Sequence, residues 1–124
     1  MIEKGQQKEA GNWGKFSVEE VIKLAKPVTC NSISRGKARF NPTLVKIKWE
    51  IPRSGYEYEF WFPYWIGFEE AKERYGQYAP MINEDSLLEL FQKAIRDGLF
   101  SDNFLQQINV ETTKKLSSKK RREH

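Results

Sequence analysis

Glu57 and Glu59 stand two residues apart in the aromatic stretch YEYEFWFPYWIGF (56–68), so on an extended chain both carboxylates share one face. Such a pair could bind a hard cation or divide acid and base roles in a hydrolysis. The lysines of the preceding stretch TLVKIKWEI (43–51) offer both acids plain ion pairs instead. A hydrolase or nuclease using these carboxylates is therefore the third-ranked reading, and the balance leans against an enzyme. The histidine, His124, is the last residue, where a side chain on a fraying end is not held in catalytic geometry. Cys30 has no second thiol or imidazole near it in sequence and reads as a small buried hydrophobe. Glycines do not cluster as a phosphate loop requires, and Glu69, Glu70 and Glu73 read as a solvated helix surface. No catalytic residue, metal ligand or cofactor is assigned.

Two sets of residues remain that could bind without reacting. Trp61 and Trp65 are the first, as anchors for a protein partner or a second copy of the chain, because indoles contribute heavily at interface centres. Arg35, Lys37, Arg39, Lys46 and Lys48 are the second, as phosphate contacts for nucleic acid with Trp61 as a stacking platform. Charge along the chain weighs between them. Residues 28–48 carry five bases and no acid, residues 49–113 carry five bases against twelve acids, and the tail 114–124 carries six bases against Glu123. The formal net charge of +4 thus owes much to a terminal segment, and the −7 of residues 49–113 would repel a polyanion from most of the body. Protein binding ranks first and nucleic-acid binding second.

The 124 residues suit one domain with a single core. One cysteine, an N-terminal stretch without the apolar run of a signal peptide, and a longest apolar run of nine residues (60–68) predict a cytoplasmic protein without a membrane span. Residues 1–14 and 114–124 are expected to be loose, flanking a domain over 15–113.

The domain is predicted to be α+β. FSVEEVIKLAKP reads as a helix, with Ser17 and Glu20 as a capping box, Phe16 and Val21 as a staple and Pro27 as its stop. A strand from Val28 to about Ser34 and a loop ending at Asn41-Pro42 come next. A central hairpin then pairs 44–51 with 56–62 across the four-residue turn PRSG, placing Ile51 opposite Tyr56, Trp49 opposite Tyr58, Ile47 opposite Phe60 and Val45 opposite Phe62. That register makes Tyr56, Tyr58, Phe60 and Phe62 core and leaves Trp61 and Trp65 on the lysine face. FEEAKERYG is predicted to be a short helix. SLLELFQKAIRDG is a second, capped by Ser86, burying Leu87, Leu88, Phe91, Ala94 and Ile95 and stopped by Gly98. A last helix from about Ser101 carries Phe104, Leu105, Ile108 and Leu116 on its apolar side. Two to three C-terminal helices and the N-terminal one would pack on a small antiparallel sheet.

Overall fold

The computed structural model describes residues 2–68, 72–76 and 80–122. Its strands are β1 (Gln7–Glu9), β2 (Lys15–Lys23), β3 (Val28–Ser32), β4 (Gly36–Trp49), β5 (Tyr58–Trp61), β6 (Tyr64–Phe68) and β7 (Arg74–Tyr75), followed by helices α1 (Glu84–Arg96) and α2 (Asp102–Arg122). All seven strands form one antiparallel, curled sheet. The first half of β4 lies between β3 and β6, and its second half between β2 and β5. The prediction of a small sheet with an N-terminal helix is therefore corrected to a large sheet with two helices after it.

The expected N-terminal helix is strand β2. Its apolar residues Phe16, Val18, Val21 and Ile22 have near-helical spacing because a β-bulge between Val18 and Glu20 shifts the alternation by one residue. Phe16 and Val18 face one side of the sheet, and Ile22 the other. The apparent capping box serves other ends: the Ser17 hydroxyl donates to Glu19 at 3.0 Å, and Glu20 pairs with Lys4 at 3.1 Å. Most of the expected loop, from Gly36 to Pro42, is also strand, with Ala38, Phe40 and Pro42 buried on the face they share with Leu44, in a pattern masked by proline and by intervening bases. Segment 1–14 contributes β1 and the buried Ile2.

The hairpin exists, but its register differs by one residue. Val45 faces Trp61, Lys46 faces Phe60, Ile47 faces Glu59 and Lys48 faces Tyr58. Side chains alternate along a strand, so this slip exchanges the two faces completely. Trp61 joins Val45, Ile47 and Trp49 on the inner side, while Tyr58 and Phe60 accompany the lysines and are 43% and 45% exposed. PRSG is not a tight turn: the ladder closes where the Trp49 amide donates to Glu57 O at 2.9 Å, leaving a longer loop between.

Helix α1 covers the outer face. Leu90, Ala94 and the following Leu99 pack on Ile22 and Leu44, giving a second core on the far side of the sheet from the first. Its N-cap is Asn83, whose side chain accepts from the Ser86 amide at 2.8 Å, three residues before the expected cap. The buried stripe is correspondingly rotated, and Leu88 and Ile95 are exposed. Glu89 accepts from the Ala25 amide and Lys93 donates to Lys23 O, pinning the helix to the end of β2. The helix expected over FEEAKERYG falls partly on 69–71, outside the described residues; Phe68 ends β6 and Arg74–Tyr75 forms β7 against Trp65 and Ile66. The last helix, α2, continues through Lys114 to Arg122, into the stretch expected to be a loose basic tail. Among the described residues no helix is long and apolar enough to cross a membrane.

Leu90→Ala should cost about 2–5 kcal/mol in urea unfolding, as large-to-small changes in a filled core do. Phe60→Ala should cost clearly less, because nearly half of that side chain is already in water. Equal losses would mean that the outer aromatic row is core after all.

Candidate functional site

The inner face of the curled sheet is where chemistry-bearing side chains converge. Phe16 and Val18 from β2, Val45, Ile47 and Trp49 from β4, and Ile2 form a buried patch, with Trp61 and Trp65 packed against it half-buried. A basin of about 540 Å³ opens above this patch, and its walls include Trp13, Phe16, Trp49, Trp61 and Tyr75. The rings meet edge-on or tilted. Phe16 lies 5.3 Å from Trp49 and 6.0 Å from Trp61, and Tyr75 stands between the two expected anchor residues, 6.0 Å from Trp61 and 5.9 Å from Trp65. Gly76 makes the position of Tyr75 achievable. A side chain at residue 76 would collide with the ring of buried Tyr64, whose carbonyl accepts the Gly76 amide at 2.8 Å.

The polar end of the basin is built around Glu59. Its Oε1 accepts from Trp49 Nε1 at 3.0 Å and from Ser54 Oγ at 3.1 Å, and its Oε2 accepts from Arg53 at 3.0 Å. The Arg53 guanidinium lies 5.3 Å from both the Trp13 and the Trp49 rings, so one cation bridges the two loops at the rim. Desolvation works to raise the Glu59 pKa, but the bonds from Arg53 and Ser54, the Arg53 charge and the Trp49 donor outweigh it and hold the carboxyl below its ordinary range. Lys8 and Glu9 complete the rim. Among the described residues no buried side-chain polar atom lacks a partner.

Trp61 and Trp65 are thus brought together, on the face opposite to Lys46 and Lys48. The five bases are dispersed. Lys37 and Arg39 alternate onto the inner side of β4, and Lys46 and Lys48 onto the outer. Arg39 bonds Glu73 at 2.7 Å and Lys48 pairs with Glu57 at 3.2 Å, which raises the lysine's pKa through the Glu57 hydrogen bond and charge. Lys46 donates to Leu99 O at 3.1 Å beneath Tyr58, Arg35 lies 3.9 Å over the Phe68 ring, and Lys37 is exposed. Glu57 and Glu59 are held by different cations, Lys48 and Arg53, and do not form a shared carboxylate site. Among the described residues no three His, Cys, Asp or Glu gather as a metal cage.

Residue reasoning missed Trp49, Phe16, Tyr75 and the Arg53–Glu59 pair as parts of one site. A usable signal existed: a buried indole needs an acceptor, and Glu59 lies on the adjacent strand. The low pKa of Glu59 has a direct consequence. A depressed carboxylate contributes stability above the unfolded value of about 4.5 and loses it as pH falls through the lower folded value. The Trp49 indole N–H resonance should therefore hold steady from pH 7 to pH 5 and move below about 4.5, and Glu59→Gln should abolish that movement. A shift centred near pH 6 would contradict the geometry.

No protein-family model, curated protein or solved structure matches the chain significantly.

Proposed function

We propose that the chain is a small non-enzymatic binding domain that takes apolar, ring-bearing side chains of a protein partner into the aromatic basin. Trp61 anchors the ligand from the wall, and Trp65 supports it through Tyr75. The observation that carries this reading is the concavity itself: six aromatic residues, Trp13, Phe16, Trp49, Phe60, Trp61 and Tyr75, line one space of about 540 Å³ beside a charged rim. Ring-lined concavities with a few placed polar groups are where ligands lose most water, and indoles at such centres dominate binding energy. A cytoplasmic setting, suggested by the single thiol, is part of the same proposal. Nucleic-acid binding is the weaker reading, because four of its five bases are engaged within the chain and the set is split between two faces.

The test is a titration of ¹⁵N-labelled protein with N-acetyl-phenylalaninamide, followed at the four indole N–H signals. Saturable shifts are expected at Trp13, Trp49 and Trp61, and Trp61→Ala should weaken them about tenfold, roughly 1.4 kcal/mol. Shifts that are absent, or that centre on Arg35 and Lys37, would overturn the proposal.

A further inference from the structure

Lys8, Glu9, Arg53 and Glu59 are the charged residues that line the basin, and strand alternation sorts them. Lys8 lies directly opposite Phe16 in the β1–β2 ladder and shares its inner face, whereas Glu9 lies opposite Lys15 and shares the other. Glu9 pairs there with Lys15 at 3.7 Å. The Glu59 carboxylate accepts from Trp49, Ser54 and Arg53, which uses most of its acceptor capacity. Arg53 gives one of its N–H groups to Glu59, and the others have no acceptor among the described residues. The ammonium of half-buried Lys8 has no ion pair or hydrogen bond with a described residue. On its inner side the rim therefore holds one more base than acid, and spare cationic donors.

A ring alone would use the basin's aromatic wall and leave these donors to water. A ligand that joins a ring to a carboxylate uses both, and a charge-assisted bond gains strength beside an apolar wall that thins the solvent around it. The position of the carboxylate follows from what the rim lacks. A ring-bearing residue inside a chain would bring the N–H of the next residue to the rim, where the side-chain acceptors are engaged. At the C-terminus of a chain that N–H is replaced by a carboxylate, an acceptor on the same residue as the ring. The volume of about 540 Å³ lies within the roughly 300–1,000 Å³ of small-ligand sites, which is room for one such residue.

We propose that the basin recognises the C-terminal residue of a protein partner, a Phe, Tyr or Trp whose ring enters among Trp13, Trp49 and Trp61 and whose terminal carboxylate is met by Lys8 and Arg53. This rests on the reading of the basin as a site for ring-bearing side chains and adds the end at which the partner is taken. Arg53 also holds Glu59 and spans two rings, so its removal would disturb the rim itself. Lys8 has no such second duty, and the charge preference is read there.

The test sets N-acetyl-phenylalanine, ionised at pH 7, beside N-acetyl-phenylalaninamide in titrations of the ¹⁵N-labelled full chain at about 0.05 M salt. The acid is expected to move the same indole signals as the amide and to bind about fivefold more tightly. Lys8→Gln should weaken the acid to the level of the amide and leave the amide's affinity unchanged, which also shows that the basin is intact. Lys8→Arg should keep the preference. An amide that binds the natural chain as tightly as the acid, or an acid preference that survives Lys8→Gln, would overturn the proposal while leaving the basin as a site for rings. Failure of both ligands to shift any indole would sink that underlying reading, and this inference with it. If Lys8→Gln does not fold, the two ligands on the natural chain and on Lys8→Arg still decide.

Discussion

Strand β4 is buried on both faces at its middle, and the rest of the structure depends on this. Pro42, Thr43, Leu44 and Val45 are four consecutive buried residues, which a strand accommodates only where each side of the sheet has its own cover. On one side Leu44 requires α1, and the helix meets it with Leu90, Ala94 and Leu99. On the other side Val45 requires the curl of the sheet, and β2 and Ile2 supply it. Alternation then distributes everything downstream. Lys46 and Lys48 must follow Leu44 outward, and Ile47 and Trp49 must follow Val45 inward.

An inward Trp49 brings a donor into an apolar place, and Glu59 answers it from the neighbouring strand. That carboxylate would be costly on the inner face without several donors. The loop after β4 provides them, with Arg53 and Ser54 folded over the carboxylate. The same arginine bridges Trp13 and Trp49, so the polar knot that satisfies the interior also holds the rim of the basin together. Core and site are here one construction, seen from below and from above. Helix α2 stands apart from it, and no strand or other helix among the described residues packs along its length.

Much of this was legible in the residues, and its limits have physical causes. Alternation in TLVKIKWEI marks β4 and its inner row, and the Gly98 stop of α1 is visible because only a left-handed backbone, φ 74° here, ends the helix that way. Strand β2 was hidden because a bulge imitates helical spacing, and Ser17 and Glu20 imitate a cap. The register was hidden because both faces of YEYEFW carry rings, so apolar matching could not tell them apart. What decided it was polar: Trp49 Nε1 and Glu59 satisfy each other only when both point inward. Tyr75 could not be placed in the site from sequence, since its strand is two residues long and depends on Gly76 passing beneath Tyr64.

The β4–β5 register decides which face Trp61 presents, because a shift by one residue would turn its side chain from the inner side to the side of Lys46 and Lys48. Cross-strand nuclear Overhauser effects between backbone protons of these strands measure it directly. The account predicts contacts pairing Val45 with Trp61 and Ile47 with Glu59. Contacts pairing Val45 with Phe62 and Ile47 with Phe60 would contradict it, and would place the aromatic basin on the wrong side of the sheet.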